Sequence, residues 1–197
     1  MNKNKNSTQK IAMTALMAAL CYIGFTFFKI DIPVGTETTA IHFGNTFCVL
    51  AALILGGVPG GLAGAIGMGI GDLLDPRYLP SFPKTFILKF CIGLTAGAVA
   101  HKYAHLSEID NPQKLTLWTV LSCAAGMTFN VIAEPVVSYL YKNFILGIPS
   151  EAAKIFAAWT AGTTFINAIT SVVIASLIYL ALRRALKGSS LGKKLFK

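Results

Sequence analysis

The stretch IHFGNTFCVLAALILGGVPGGLAGAIGMGIGDLL, residues 41–74, indicates how the chain folds. It is apolar almost throughout and is longer than the roughly 20 residues that one helix needs to cross about 30 Å of hydrocarbon. Its centre, GGVPGG at residues 56–61, combines glycine and proline, which favour a tight turn. We therefore predict two short helices here, over residues 41–56 and 59–74.

The rest of the chain has the same character. Of its 197 residues, 54% are hydrophobic and only 13% are charged, which is typical of an integral membrane protein. Further apolar blocks predict transmembrane helices over residues 11–28, 83–105, 115–141 and 152–186. We predict an all-α membrane protein with about six helices in a single transmembrane domain, residues 1–197.

The basic residues indicate the orientation. If the predicted helices cross the membrane in turn, most basic residues lie on the same side as the N-terminus. They are Lys3, Lys5, Lys10, Lys102, Lys114, Arg183, Arg184, Lys187, Lys193, Lys194 and Lys197. The opposite side and the span ends near it have Lys29, Arg77, Lys84, Lys89, Lys142 and Lys154. Because cytoplasmic segments carry an excess of lysine and arginine, we predict a multi-pass membrane protein with both termini in the cytoplasm. The net charge of +9 then reflects topology and anionic lipid, not nucleic acid, since no basic stripe with interleaved aromatics is present.

Sequence motifs of membrane enzymes are absent. The chain has no paired-histidine zinc motif, no phosphate-binding glycine loop with lysine, and no Gly-x-Ser-x-Gly elbow. Its cysteines are far apart in sequence and lack metal-ligand or redox spacing. We therefore predict a protein that is not an enzyme and that uses no metal or cofactor.

Small residues form a row in the first predicted helix. Ala15 and Ala19 are four residues apart, the spacing that lets two helices approach closely. Such a row seats either another helix of this chain or a helix of a partner protein. The sequence favours neither alternative.

The chain as a whole resembles a known family. Its small size, six predicted helices, lysine-bearing N-terminus, Ala-xxx-Ala row, long loop after the first helix and lack of an ATPase motif resemble the substrate-binding S component of an energy-coupling factor (ECF) transporter. Residues 41–74 are similar to the second and third helices of its riboflavin, pyridoxine and hydroxymethylpyrimidine carriers. The resemblance implies capture of a micronutrient from outside, with a membrane coupling (T) subunit and two cytosolic ATPases as partners. Ala15 and Ala19 would then contact the coupling subunit.

Polar residues follow two of the apolar helices at four-residue spacing. Asn130, Glu134 and Ser138 share one stripe of the fifth helix, and Trp159, Thr163, Asn167 and Ser171 share one stripe of the sixth. In an antiparallel pair, Glu134 would face Trp159 about 10 Å below the outer surface, at about 1.5 Å per residue. We predict that the stripes line an outward-facing pocket in which the Trp159 indole stacks on a flat ligand.

Other elements supply further predicted ligand contacts. Lys89 lies at a similar depth on the fourth helix, so it and Glu134 either pair with each other or each bind a ligand group. His42 and Asn45 follow a long loop with polar, glycine and proline residues that suits a lid. Asp72, at a helix end, and Tyr78, in a proline-rich loop, are further candidates, although Asp72 could pair with Arg77 instead. Glu37, in the long loop that precedes His42, is predicted to be a solvated residue without a ligand role.

These observations predict an S component that binds a small heterocyclic vitamin or related micronutrient. Pyridoxine, hydroxymethylpyrimidine, riboflavin and a queuosine precursor suit the predicted polar groups about equally well. The alternative is a self-sufficient, proton-coupled secondary transporter, since Glu134 lies beside Pro135 and intramembrane acids often mark ion pathways.

Overall fold

The computed structural model describes residues 2–189 and 192, with side chains from residue 8 onward. Met1, residues 190–191 and residues 193–197 lie outside the described part. The predicted charge asymmetry therefore rests partly on groups beyond it, namely the side chains of Lys3 and Lys5 and residues Lys193, Lys194 and Lys197.

The main elements of the described chain are six α-helices and one β-hairpin. They are α1 (Asn2–Thr26), β1 (Lys29–Val34), β2 (Glu37–His42), α2 (Gly44–Leu55), α3 (Gly57–Leu74), α4 (Phe82–Ala98), α5 (Pro112–Leu140) and α6 (Ser150–Ala185). Among the described residues, five helical segments are long and apolar enough to cross a membrane. The helix α2 has 12 residues and is about 18 Å long, at 1.5 Å per residue, so it does not cross on its own. It is shorter than predicted because residues 41 and 42 belong to β2.

The turn between α2 and α3 consists of one residue. Gly56 has φ +92°, a conformation that costs glycine little and other residues much more, and its N–H donates to the Ala52 carbonyl at 3.1 Å. The helix α3 starts at Gly57, ahead of the predicted residue 59, because Pro59 lies in the first turn, where a proline is tolerated. The predicted break within GGVPGG is therefore present, and it is sharper than expected.

Glycines of α3 bring its backbone against two neighbours. A Cβ on Gly93 of α4 would lie 2.2 Å from the Gly61 nitrogen, and one on Gly60 would lie 2.4 Å from the Ala52 Cα. No side chain fits at such distances, so α2, α3 and α4 are packed backbone to backbone. Because lipid is as apolar as leucine, this close packing, not the hydrophobic effect, holds membrane helices together.

The segment predicted as an irregular loop after α1 is an antiparallel hairpin. Lys29 pairs with His42 and Val34 with Glu37, and Gly35 has φ +63° at the turn. The all-α prediction is corrected in this respect. Polar and apolar residues alternate at the start of KIDIPV, and both KIDIPV and ETTAIH contain β-branched residues, which favour strands.

Arg183 fastens the other end of the bundle. Near the end of α6, its guanidinium donates hydrogen bonds to the carbonyls of Leu106, of Ser107 at 3.1 Å and of Ile109 at 2.8 Å. These carbonyls belong to the connection between α4 and α5. One cation therefore satisfies several carbonyls of an irregular segment and ties α6 to that connection.

Candidate functional site

A cavity of about 60 Å³ lies beneath the hairpin, between the hairpin and the helices. We call it the hairpin cavity. Its walls come from the strand β2, from all six helices α1–α6 and from the connection between α3 and α4. The lining residues are Phe25, Thr38, Thr39, Ala40, His42, Asn45, Asp72, Tyr78, Ser81, Lys84, Thr85, Lys89, Glu134, Phe156, Thr160, Thr163, Thr164 and Asn167.

Ion pairs between α4 and α5 occupy one side of the hairpin cavity. Glu134 is buried, its Oε1 accepts a hydrogen bond from the Lys84 ammonium, and its Oε2 lies 3.7 Å from the Lys89 nitrogen. Lys84 also donates to the Ser138 hydroxyl at 2.8 Å. A carboxylate in an apolar bundle is stabilised by such partners, since an unpaired buried charge is very costly. We call Lys84, Lys89, Glu134 and Ser138 the floor network.

Several buried polar atoms at the hairpin cavity have no protein partner. Both amide atoms of Asn45, the Oδ2 of Asp72 and the hydroxyl of Thr160 make no hydrogen bond within the part of the chain that the structure describes. Asn45 and Asp72 are each only 1% exposed. Because unpartnered buried polar groups are costly and rare, their convergence on one cavity is the pattern expected of a polar ligand site.

The hairpin is attached to α6 by an asparagine. The Asn167 amide oxygen accepts from the His42 backbone N–H at 2.9 Å, and its nitrogen donates to the Ala40 carbonyl at 3.0 Å. Next to it, the hydroxyls of Thr39 and Thr163 are 2.9 Å apart. Asn167 thus pairs with β2 as a neighbouring strand would and holds the hairpin over the cavity.

A second attachment joins the hairpin turn to the end of α5. Lys142 lies in a π-helical turn, Tyr141–Ile145, is 1% exposed, and donates to the carboxylate of Glu37. Its ammonium also lies 4.2 Å from the centre of the Phe156 ring, a cation–π distance. From sequence, Lys142 had been assigned to the outer loops and span ends, and Glu37 had been predicted to be a solvated residue. The Glu37 side chain is instead only 25% exposed and is paired with Lys142. A π-helical turn shifts the direction of the side chains it contains, which accounts for the inward direction of Lys142.

Charged residues tie the first strand to the connection between α3 and α4. Arg77 pairs with Asp31 and with Asp75, each at 2.7 Å, and Lys29 pairs with Asp75 at 3.0 Å. The hydrogen bond from Arg77, followed by that from Lys29, holds the pKa of Asp75 below its usual range. The alternative that Asp72 pairs with Arg77 is wrong, since Arg77 is engaged with these other carboxylates. Tyr78 donates to Asp31 at 2.7 Å and forms part of the cavity wall.

His42 is held as a neutral ring. Its Nδ1 accepts from the Gly44 N–H at 3.1 Å, and its ring packs edge-on against Phe25 with 4.9 Å between centres. Burial, reinforced by the charge of Lys89, lowers the pKa of His42. With Nδ1 as acceptor, the neutral ring carries its proton on Nε2.

Most of the predicted ligand residues lie together at the hairpin cavity. Those in its lining are Glu134, Thr163, Asn167, Lys89, His42, Asn45, Asp72 and Tyr78. Their role as ligand contacts stays a prediction. Among the described residues, no group of three or more His, Cys, Asp or Glu side chains is placed to hold a metal ion.

Two predicted residues lie elsewhere. The Trp159 indole is 53% exposed and lies against Ile32 and Ile166 on the outside of α6, so the prediction that it faces Glu134 is wrong. A four-residue step overshoots one helical turn by about 40°, so two steps back from Asn167 reach a different face. Thr160, seven residues back, stays within about 20° and lines the cavity. Asn130 is buried one turn from Glu134, outside the cavity lining, and its amide makes no hydrogen bond within the described residues.

Sequence reasoning missed Lys84 and Phe156. The buried residues of α4 include Lys84, Thr85, Leu88 and Lys89, but Lys84 lies about 100° around the helix from Thr85, so the four-residue spacing that grouped Thr85 with Lys89 leaves it out. Lys84 had instead been counted among the basic residues at the span ends. Phe156 lies four residues before Thr160, on the inward face of α6.

A separate groove on the outside of the bundle contains the alanine row. It has a volume of about 710 Å³ and is lined by Lys10, Ile11, Thr14, Ala15, Ala18, Ala19, Tyr22, Pro59, Leu62, Ile66, Gly67 and Ile70. We call it the α1–α3 groove. Ala15 and Ala19 are exposed in it, whereas the buried Ala18 makes the internal contact: its carbonyl oxygen would lie 2.2 Å from a Cβ on Gly67.

A bundle of helices long and apolar enough to cross a membrane, with a polar cavity under a hairpin, defines a multi-pass membrane protein. Within that class, the chain belongs to the family of the ECF-type riboflavin transporter, S component, whose model matches residues 5–184. This membership confirms the resemblance seen in the sequence. The family is one of substrate-binding components of transporters.

Solved structures share the fold. ThiT from Listeria monocytogenes is 18% identical, with a TM-score of 0.63 over 96% of this chain and 98% of that one. The S-component for biotin from an ECF-type ABC transporter is 19% identical, with a TM-score of 0.57 over 90% of this chain and 93% of that one. None of the curated proteins matches the sequence. At these identities the likeness shows the fold alone, and it confirms the predicted helical membrane bundle.

Proposed function

We propose that the chain is the substrate-binding S component of an ECF-type importer and that its substrate binds in the hairpin cavity. The observation that carries the proposal is the set of buried polar atoms of Asn45, Asp72 and Thr160, without partners among the described residues, around one cavity. The substrate is a small heterocyclic micronutrient of the pyridoxine, hydroxymethylpyrimidine, riboflavin or queuosine-precursor type.

The proposal includes an orientation and partners. The hairpin faces the outside of the cell, both termini face the cytoplasm, and the protein lies in the bacterial cytoplasmic membrane. Release inside depends on a coupling subunit in the membrane and on two cytosolic ATPases. The exposure of Ala15 and Ala19 in the α1–α3 groove favours a partner contact over internal packing.

The alternative of a proton-coupled transporter has less support. A proton-carrying acid must lose and regain its proton during transport, whereas the Glu134 carboxylate is bonded to Lys84 and lies 3.7 Å from Lys89. Two ammonium groups stabilise the ionised form of the acid. Glu134 is therefore better suited to a permanent charge at a binding site.

The purified chain should bind its substrate without ATP and without partner subunits, because the hairpin cavity is built from this chain alone. Calorimetry against the four candidate compounds, with mass spectrometry of retained small molecules, should show one saturable site. Thr163→Phe should abolish binding, since Thr163 lies between cavity and hairpin. Thr170→Phe, two turns further along α6, is the matched control. If no compound binds and none is retained, the proposal fails.

Glu37→Gln should accelerate release of the bound compound about tenfold. The change removes the charge that compensates the buried Lys142 and so weakens the attachment of the hairpin turn; a hydrogen bond to a charged group contributes about 1.5–3 kcal/mol, and 1.4 kcal/mol is a factor of ten. Displacement kinetics with excess unlabelled compound measure the rate. Glu108→Gln, a 78% exposed carboxylate, is the control. An unchanged release rate would show that this attachment does not hold the hairpin closed.

A further inference from the structure

A groove lies between the start of α5 and the end of α6, at the end of the bundle opposite the hairpin. It has a volume of about 600 Å³ and is separate from the hairpin cavity and from the α1–α3 groove. We call it the α5–α6 groove, and we infer that it binds the headgroup of an anionic phospholipid. The inference goes beyond the proposed function, since it concerns the surrounding lipid and not the transported compound.

The charged residues of the α5–α6 groove favour an anion. Its lining contains Arg183, Arg184 and Lys187 against the single carboxylate of Asp110, an excess of two positive formal charges. Arg183 is occupied by backbone carbonyls. Arg184 and Lys187 are exposed, and within the described part of the chain their side chains have no hydrogen bond or ion pair. They lie three residues apart, so a guanidinium and an ammonium can bind one phosphate together.

The helix ends leave the sign of the charge to these side chains. The end of α6 carries a partial negative charge, and the start of α5, on the other wall of the groove, carries a partial positive one. Because the two helix ends lie side by side, their contributions largely cancel. The excess of basic side chains therefore decides which ligand the groove attracts.

The α5–α6 groove lies where hydrocarbon gives way to lipid headgroups. Both helices are long and apolar enough to cross a membrane. Between Lys154 and Arg183, α6 contains no charged residue, and between Lys114 and Glu134, α5 contains none. Lys114 and Arg183 bound these stretches at the same end of the bundle and mark the membrane interface there. In the proposed orientation this is the cytoplasmic leaflet, whose surface potential is negative.

The face of α6 that continues from the groove is apolar. Leu180 and Ala181 line the groove, and Leu177 and Val173, further along α6, are 63% and 52% exposed. Arg184 is seven and eleven residues from these two, and both separations return to within about 20° of the same face. Eleven residues span about 16 Å, close to half of the roughly 30 Å of hydrocarbon. A phosphate on Arg184 with an acyl chain along this face therefore matches one phospholipid, whereas free phosphate would leave the apolar part uncovered.

Two lipids that differ only in their headgroup test the inference. The full chain, purified in an uncharged detergent, is titrated with phosphatidylglycerol and with phosphatidylcholine of the same acyl chains, and bound lipid is counted by native mass spectrometry. We expect one phosphatidylglycerol to bind at least about tenfold more tightly, since each cation near the surface adds to the attraction. Equal binding of both lipids, binding of neither, or displacement by an equal concentration of inorganic phosphate overturns the inference.

Charge variants locate the site. Arg184→Gln combined with Lys187→Gln should lower the affinity for phosphatidylglycerol at least about tenfold and leave that for phosphatidylcholine unchanged. Lys102→Gln is the control for Arg184→Gln alone, because Lys102 is exposed at the same end of the bundle but does not line the groove. Equal losses in these two single variants would reveal a general effect of surface charge and overturn the inference.

A variant that keeps every cation tests the acyl part of the site. Ala181→Phe should fill the apolar wall and weaken binding of phosphatidylglycerol, whereas Ala185→Phe, exposed outside the groove lining, should not. The melting temperature of each variant shows that it is folded. Undiminished binding in Ala181→Phe overturns the assignment to a phospholipid. Loss of the coupling subunit from the purified complex of the double charge variant, with lipid binding unchanged, would assign the groove to a protein partner instead.

Discussion

Replacement of Glu134 with glutamine should destabilise the folded protein by about 3–5 kcal/mol, the cost of removing one partner from a buried ion pair. Glutamine keeps the shape of the side chain but leaves the ammonium groups of Lys84 and Lys89 without their shared counter-charge. Substrate affinity should fall about ten- to a hundredfold, as for loss of a hydrogen bond to a charged group. Thermal unfolding in detergent and calorimetry measure the two effects.

The matched control is Glu151→Gln. Glu151 is 83% exposed and pairs with Lys154 one turn away on α6, so its loss should change stability by no more than about 1 kcal/mol. If Glu134→Gln retains full stability, the lysines do not depend on this carboxylate. If stability falls but affinity is unchanged, Glu134 serves only as the partner of Lys84 and Lys89.

The double replacement Ala15→Leu and Ala19→Leu should abolish ATP-driven uptake and leave substrate binding by the isolated chain almost unchanged. Both alanines are exposed in the α1–α3 groove, where added isobutyl groups would prevent close approach of a partner helix. Uptake is measured in vesicles that contain the coupling subunit and ATPases, and affinity by calorimetry on the chain alone.

Ala12→Leu is the control for this pair. Ala12 is exposed on the same helix but does not line the α1–α3 groove, so uptake should persist. Loss of substrate affinity in the double variant would instead assign Ala15 and Ala19 to internal packing. Normal uptake would exclude the groove as the site of coupling.

Patterns with strong local causes could be predicted from the sequence. Apolar length identified the spanning helices, and GGVPGG located the break that Gly56 makes. The hairpin was not predicted because its strands have only six residues each and lie between long apolar helices. Membership of the family was identified from the order of elements along the whole chain, and its model indeed matches residues 5–184.

The candidate site was partly predictable for a similar reason. Asn167 and Thr163 are separated by one helical turn, so spacing alone placed them on one face. Trp159 lies two four-residue steps from Asn167, and the angular error of the two steps adds up, so it was placed on the wrong face. The direction of Lys142 depends on a π-helical turn, which simple residue spacing does not reveal. Burial of Lys84 depends on contact with Glu134, 50 residues away in sequence, which no local pattern encodes.

The three carbonyls bound by Arg183 restrict how the molecule can move. They join residues more than 70 positions apart, so α6 cannot separate from the connection between α4 and α5 at that end. The backbone contacts among α2, α3 and α4 oppose sliding of one helix along another, the motion that a shear mechanism needs. We therefore expect access to the cavity to involve a hinge motion of the hairpin about the residues that join its strands to their helices, Phe27–Phe28 and Phe43.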